Sequence, residues 1–420
     1  MSKTKPLAKI GTFFKKLGPG LITGASDDDP SGIATYSQAG AQFGLTTLWT
    51  ALLTYPLMAA IQGMCARIGL VTSVGLTVTL KKYYSKPLLY IMLLFSFPAI
   101  TLNIGADIQA MGAVSNMIFP QVPVPAFCVG VTAILMFVII QYPYQKIARI
   151  LKWLCISLFL YVVVPFMIKQ DWPQVLKSTF IPTFHFTKDF ISIIVAILGT
   201  TISPYLFFWQ TTMEAEDQVH KGTQMMVDKR MLSDMKTDVN SGMLFSNMVM
   251  FFMILTAGSV LFPAGIHQID TVDQAAKALE PLAGKLTYFI FATGVLGTGL
   301  LAIPVLAGSQ SYMLAETFGW EAGLDKKFGQ AKSFYISIIL SLAVGLSLDF
   351  LNVSPIKALL WTAISYGLTA PVMVAIILHI GNNKKIMKEY TNSKLSNFLG
   401  IATLVLMTAA AAAMVYFLFN

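Results

Sequence analysis

Three consecutive carboxylates, Asp27, Asp28 and Asp29, stand inside the first apolar stretch of the chain and run directly into Pro30, Ser31 and Gly32. Residues 17–26 before them and 33–49 after them have together the length and apolarity of one membrane crossing. A charge near the bilayer centre costs about 2.5–3.5 kcal/mol even on lenient scales, so such residues usually serve a pathway or a ligand. Proline beside the aspartates removes a backbone donor and forces the helix to unwind there. A fixed negative charge next to freed carbonyls is the chemistry of a cation site. A second breaker follows in the sixth apolar stretch, where Gly199, Thr200, Thr201 and Ile202 lead into Ser203, Pro204 and Tyr205. Its hydroxyls have two uses: satisfying the backbone of the unwound turn, or offering oxygen to a cation. Asp27 and Asp28 have a second reading too, as the edge of a hydrated vestibule.

Such residues need a membrane scaffold. Of 420 residues, 55% are hydrophobic and 12% charged, and mean hydropathy is +0.68, too apolar to coat a water-soluble domain. Apolar stretches near 18–42, 46–71, 88–118, 123–143, 147–168, 189–212, 241–263, 284–313, 333–350, 354–381 and 397–419 read as eleven helices of one all-α polytopic membrane domain. Basic residues test that count. With the N-terminus in the cytoplasm, 23 of the 29 lysines and arginines fall on the cytoplasmic side and 6 outside, and the C-terminus emerges outside. The net charge of +9 is then explained by topology and anionic lipid, with no need of nucleic acid. No cleavable leader is evident after Lys3, Lys5, Lys9, Lys15 and Lys16. Cys65, Cys128 and Cys155, all in apolar surroundings and without paired spacing, read as buried free thiols.

The two breakers open the first and sixth helices. Matching interruptions in two five-helix halves point to an inverted-repeat transporter with its site at the midplane, between the broken helices. The halves are 17–168 and 189–381, with 397–419 as an additional helix. Because an odd number of crossings separates their starts, the halves run in opposite senses through the bilayer.

The run from Gly18 to Thr35, followed by the stretch ending at Trp49, resembles the first helix of the NRAMP divalent-metal transporters. That family carries Asp-Pro-Gly-Asn where this chain has Asp29, Pro30, Ser31 and Gly32, and Met-Pro-His where it has Ser203, Pro204 and Tyr205. Thr200 holds the place of a family alanine or cysteine. The departures fall at metal ligands and look like the magnesium-transporting, NRAMP-related branch. The resemblance implies a LeuT-like 5+5 fold, metal ligands at Asp29, Gly32, Thr200 and Ser203, and proton relays in other members that are missing here. A histidine after the helix-six proline is replaced by Tyr205, and residues 333–350 hold no arginine. All four histidines lie in loops or at helix ends. The third helix offers the polar stretch Thr101 to Asp107, with Asn103 inside it and Asp107 as its one carboxylate.

The residues argue for the same ion on their own. A thioether selects soft or borderline ions, and a hydroxyl does not. A site of one carboxylate, hydroxyls and carbonyls with spare room suits magnesium, which keeps several of its waters. Two charges moving through ~100 mV gain about 4.6 kcal/mol, enough for more than thousandfold accumulation without a proton. The expectation is therefore alternating-access transport of hydrated Mg2+, and also Mn2+, through a bacterial plasma membrane, uncoupled from protons. Asp28, Asn103, Asp107, Thr201, Tyr205 and Gln210 are second-tier candidates along the pathway or vestibule. No bound cofactor, catalytic residue or obligate protein partner is expected; the partners are the metal ion and the lipid bilayer. Residues 214–238 read as a surface helix on the cytoplasmic side. Two rivals share the fold: a proton-coupled Mn2+/Fe2+ transporter, and an amino-acid or amine carrier, against which the triple aspartate argues. An intramembrane aspartyl protease using Asp29 and Asp107 lacks the Gly-x-Gly-Asp and Tyr-Asp elements that it would need.

Overall fold

Proline and glycine punctuate the chain, and the elements follow them. The structure, a computed structural model, describes residues 18–143, 146, 160–220, 227–348 and 354–419. Pro19 opens α1 (Pro19–Asp27) and Pro30 opens α2 (Pro30–Phe43), which stops at Gly44 with φ +57°. Then come α3 (Trp49–Thr72), α4 (Leu76–Tyr83), α5 (Lys86–Ile118), α6 (Val124–Gln141), α7 (Leu160–Met167) and α8 (Trp172–Phe180). The sixth span is α9 (Lys188–Thr201) and α10 (Pro204–His220), followed by α11 (Lys229–Val260) and the short α12 (Val272–Ala276) and α13 (Glu280–Ala283). The chain continues through α14 (Thr287–Phe318), α15 (Lys332–Ser347), α16 (Pro355–Asn382), a single turn α17 (Lys384–Met387) and α18 (Lys394–Phe419).

Eight described stretches are helical, long and apolar enough to cross a bilayer, counting α9 and α10 as one. The other three of the eleven have separate reasons. The first is cut into helices of 9 and 14 residues, each too short alone. The ninth, α15, has 16 residues. The fifth, read at 147–168, lies mostly outside the described residues, with α7 as its end.

Packing repeats itself across the two halves. The halves of the first span lie along α11, the seventh span, and α10 of the sixth span lies along α3, the second. These are one contact made twice, with each span replaced by the one five places away. The third and eighth spans, α5 and α14, pair with each other, as such a two-fold requires. This is the LeuT-like inverted repeat, and it places both breaks at the centre.

Small residues let these helices approach closely. A Cβ added at Gly24 would collide with the carbonyl of Gly242, and one at Gly20 with the backbone at Val239, so α1 and α11 meet backbone to backbone. Gly199 and Gly367 make the same kind of seam between α9 and α16.

The segment 214–238 corrects one expectation. It is no separate surface helix: α10 continues the sixth span to His220, and α11 starts the seventh at Lys229. Glu214 and Asp238 are 5% and 4% exposed. Mixed charge was the signal for a solvated face, but Gln210 donates to Glu214 at 3.0 Å, and Asp238 accepts from the backbone of α1. Cys65 and Cys128 are buried free thiols; Cys155 lies outside the described residues.

Candidate functional site

The first break leaves Asp28 (φ −85°, ψ 53°) and Asp29 (φ −70°, ψ 174°) out of helical conformation. Asp29 then serves as N-cap of α2, its Oδ1 accepting from the Gly32 amide at 2.8 Å. Its other oxygen, Oδ2, accepts from Asn103 Nδ2 at 2.9 Å, which ties the break to the third span. In the sixth span the helix opens at Ile202 (φ −117°, ψ 60°), and Ser203 is likewise non-helical before Pro204. The Ser203 hydroxyl donates back into that turn, with the Thr200 carbonyl at 2.6 Å and that of Gly199 at 3.1 Å. Donating its proton leaves the oxygen lone pairs for a ligand, so back-bonding and coordination are compatible.

The two breaks face each other. A Cβ at Gly32 would sit 3.6 Å from Thr200 Oγ1 and 3.4 Å from the Asp27 carbonyl, so glycine there keeps open the space between them. Tyr205 reaches from the second break to the first, donating to the Ser26 carbonyl at 3.0 Å. Tyr36 and Thr201 hydroxyls meet at 3.3 Å. Asp29, Gly32, Thr200 and Ser203 are thus gathered at one place, with Asn103, Thr201 and Tyr205 around them. Every one of these residues is buried.

Three candidates lie apart from that centre. Gln210 is a clasp between α1 and α10: its Oε1 accepts from Thr23 at 2.5 Å and its Nε2 donates to Glu214. Asp28 is wholly buried, not at the rim of a vestibule, with Oδ1 3.3 Å from the Ser246 hydroxyl. Ser246 donates to Asp27 Oδ2 at 2.7 Å, so Asp27 and Asp28 both turn toward α11. Asp107 is enclosed in α5, with neither carboxylate oxygen hydrogen-bonded.

Sequence reasoning missed Ser246 and Tyr366. Tyr366 of α16 stacks obliquely on Tyr205 with centroids 5.8 Å apart, and its hydroxyl lies beside the Asn103 side chain. Ser246 lies 218 residues from Asp28, and nothing local marks it. The methionines between 248 and 253 read from the sequence as packing or lipid-facing residues, and one of them packs close to the site. Met250 Sδ lies 3.8 Å from the Thr201 and Thr54 hydroxyls, next to the second break although not in it. Among the described residues no group of three or more His, Cys, Asp or Glu side chains is arranged to hold a metal. The arrangement is one carboxylate with neutral oxygens, suited to a cation that retains water.

A helical inverted repeat with two facing, interrupted spans and a buried carboxylate between them defines a polytopic membrane protein of the transporter type. The family model described as natural resistance-associated macrophage protein-like matches residues 20–417, and the chain belongs to that family. Among its relatives, the divalent metal cation transporter MntH of Caldanaerobacter subterraneus is 23% identical over 396 residues, covering 94% of this chain and 90% of its own. The crystal structure of the Eremococcus coleocola manganese transporter, in complex with an aromatic bis-isothiourea substituted compound, superimposes with TM-score 0.76 at 17% identity. It covers 98% of this chain and 87% of its own. Mhp1, a nucleobase-cation-symport-1 family transporter, gives TM-score 0.52 at 13% identity over 95% of this chain and 92% of its own. At these identities the two structures speak for the fold alone.

Proposed function

We propose that this protein carries divalent metal cations across the membrane by alternating access, with hydrated Mg2+ as its main substrate and Mn2+ as a second. The observation that carries the reading is the donor set at the facing breaks. Asp29 supplies the one carboxylate, Thr200 and Ser203 supply hydroxyls, and neither thioether nor imidazole stands at 203 or 205. Oxygen donors with room beside Gly32 favour a hard ion that sheds few waters. Relatives named divalent metal cation transporters support the coarser half of the reading. The basic-residue distribution supports a cytoplasmic N-terminus.

The ion enters the space between the breaks with part of its hydration shell. Asp29 holds it through an oxygen already oriented by Gly32 and Asn103, and the hydroxyls and freed carbonyls accept from its waters. The membrane potential then drives a doubly charged ion inward without a proton.

A proton-coupled Mn2+ carrier is the second reading, favoured by the Met250 thioether beside Thr201. Uptake into proteoliposomes separates the two. Mg2+ entry that follows an imposed potential and leaves internal pH unchanged supports the first. Mn2+ entry with acidification, and none of Mg2+, establishes the second.

A further inference from the structure

Asp107 is a wholly buried carboxylate, and both of its oxygens lack a hydrogen-bond partner. One turn earlier on the same face of α5 stands Asn103, about 6 Å away along the axis. Its Nδ2 donates to Asp29, and its buried side chain also meets the Tyr366 hydroxyl of α16, which leaves a lone pair on Oδ1. The neighbouring α14 runs the opposite way. Gln310 donates to Thr101 Oγ1 at 2.6 Å, whereas Gly299 abuts Met111, so Asp107 lies level with the middle of α14, near Pro304. Pro304 has no N–H, and the Leu300 carbonyl is left without its α-helical donor.

On α5 and α14 the groups left without a partner at this level are therefore acceptors, with the Tyr366 hydroxyl of α16 held beside Asn103. No lysine or arginine occurs within α14, and the one in α5 is its first residue, Lys86. Buried acceptors without donors require a cation, a proton or bound water to be tolerable. Asn103 touches Asp29 and stands one helical turn from Asp107, so the two carboxylates share that neighbour. A carboxylate on each side of Asn103 gives a divalent ion somewhere to go when it leaves the first.

We propose that Asp107 and Asn103 form a second station for the transported divalent cation, one turn along α5 from Asp29. The Asn103 carbonyl is the ligand common to both stations, while its amide nitrogen stays on Asp29. A path needs sites strong enough to enter and weak enough to leave, and two adjacent carboxylates lower the barrier between them. The station rests on the reading of this protein as a divalent-cation carrier and adds an ion position to it.

Transport and binding measured side by side test the proposal. Purified wild type, D107N and D107E are assayed for Mn2+ and Mg2+ uptake in proteoliposomes with internal pH recorded, and for equilibrium Mn2+ binding in detergent. D107N should lower maximal uptake at least tenfold, raise the Mn2+ Kd less than threefold, and leave internal pH flat. D107E, which keeps the charge, should recover at least a third of wild-type uptake. Wild-type uptake by D107N overturns the station, as does uptake that D107E fails to recover. Wild-type acidification that D107N abolishes overturns it too, because Asp107 is then a proton carrier. Should D107N not be monodisperse, D107S takes its place with the same expectations. The function reading fails separately, if wild type neither binds nor transports either ion.

Discussion

Asp29 is oriented before any ion arrives, since its two oxygens already accept from Gly32 and Asn103. Asp29→Ala removes the site's charge and the N-cap of α2, and is expected to abolish Mg2+ uptake, as proteoliposome assays will read. The neighbouring hydroxyl is a tuning position. Ser203→Met puts a thioether at the break, and competition binding should show Mn2+ and Cd2+ gaining affinity while Mg2+ loses it. Gly32→Asn fills the space between Tyr36, Thr200 and the Asp27 carbonyl, and Mg2+ uptake should fall severalfold. The residues of the two breaks were legible because each sits next to a proline in an apolar run. Their partners were not: Ser246 and Tyr366 come from remote spans, and serine or tyrosine in a membrane helix is ordinary until something faces it.

At the scale of elements, two helices have N-termini capped by other helices. Asp238 of α11 accepts from Gly18, Gly20 and Leu21 amides at 2.8, 2.7 and 3.2 Å, satisfying the start of α1. Glu316 of α14 accepts from the Val78 amide at 3.2 Å near the start of α4. Neither helix has a side-chain cap of its own. An N-cap is worth about 1 kcal/mol, and Asp238 serves three amides. Asp238→Ala is expected to lower the unfolding temperature in detergent by a few degrees, whereas Lys236→Ala on the exposed face of α11 leaves it unchanged. These borrowed caps explain why 214–238 misled: charged residues were read by composition as solvated, and their partners lay on spans far away in the chain. Helix positions among the described residues, by contrast, followed from length and apolarity with shifts of a few residues at the ends, apart from the extensions of the sixth and seventh spans toward each other.

For the whole molecule, the 5+5 architecture was readable because two proline breaks and the alternation of basic loops constrain each other. Orientation is open to a direct measurement. In a variant with its three native cysteines replaced, a cysteine at Asn420 should react with an impermeant maleimide in intact cells, and one at Lys146 should react only after permeabilisation. The reverse pattern would invert the assigned topology. The lipid-facing side of α18, with Leu395, Phe398, Ile401 and Val405 exposed, fits a helix packed on α3, α9 and α16 by its other side.

The backbone contact of Gly20 and Gly24 with α11 has a mechanical corollary. Helices joined without intervening side chains cannot roll over one another cheaply, because any rotation drives backbone into backbone. The α1 half of the first span is therefore expected to travel with the seventh as a single lever, so that any opening falls along the lever's other face, against α10 and α14. Paired spin labels will read this as a constant separation across the seam and a changing one across that face when metal is added.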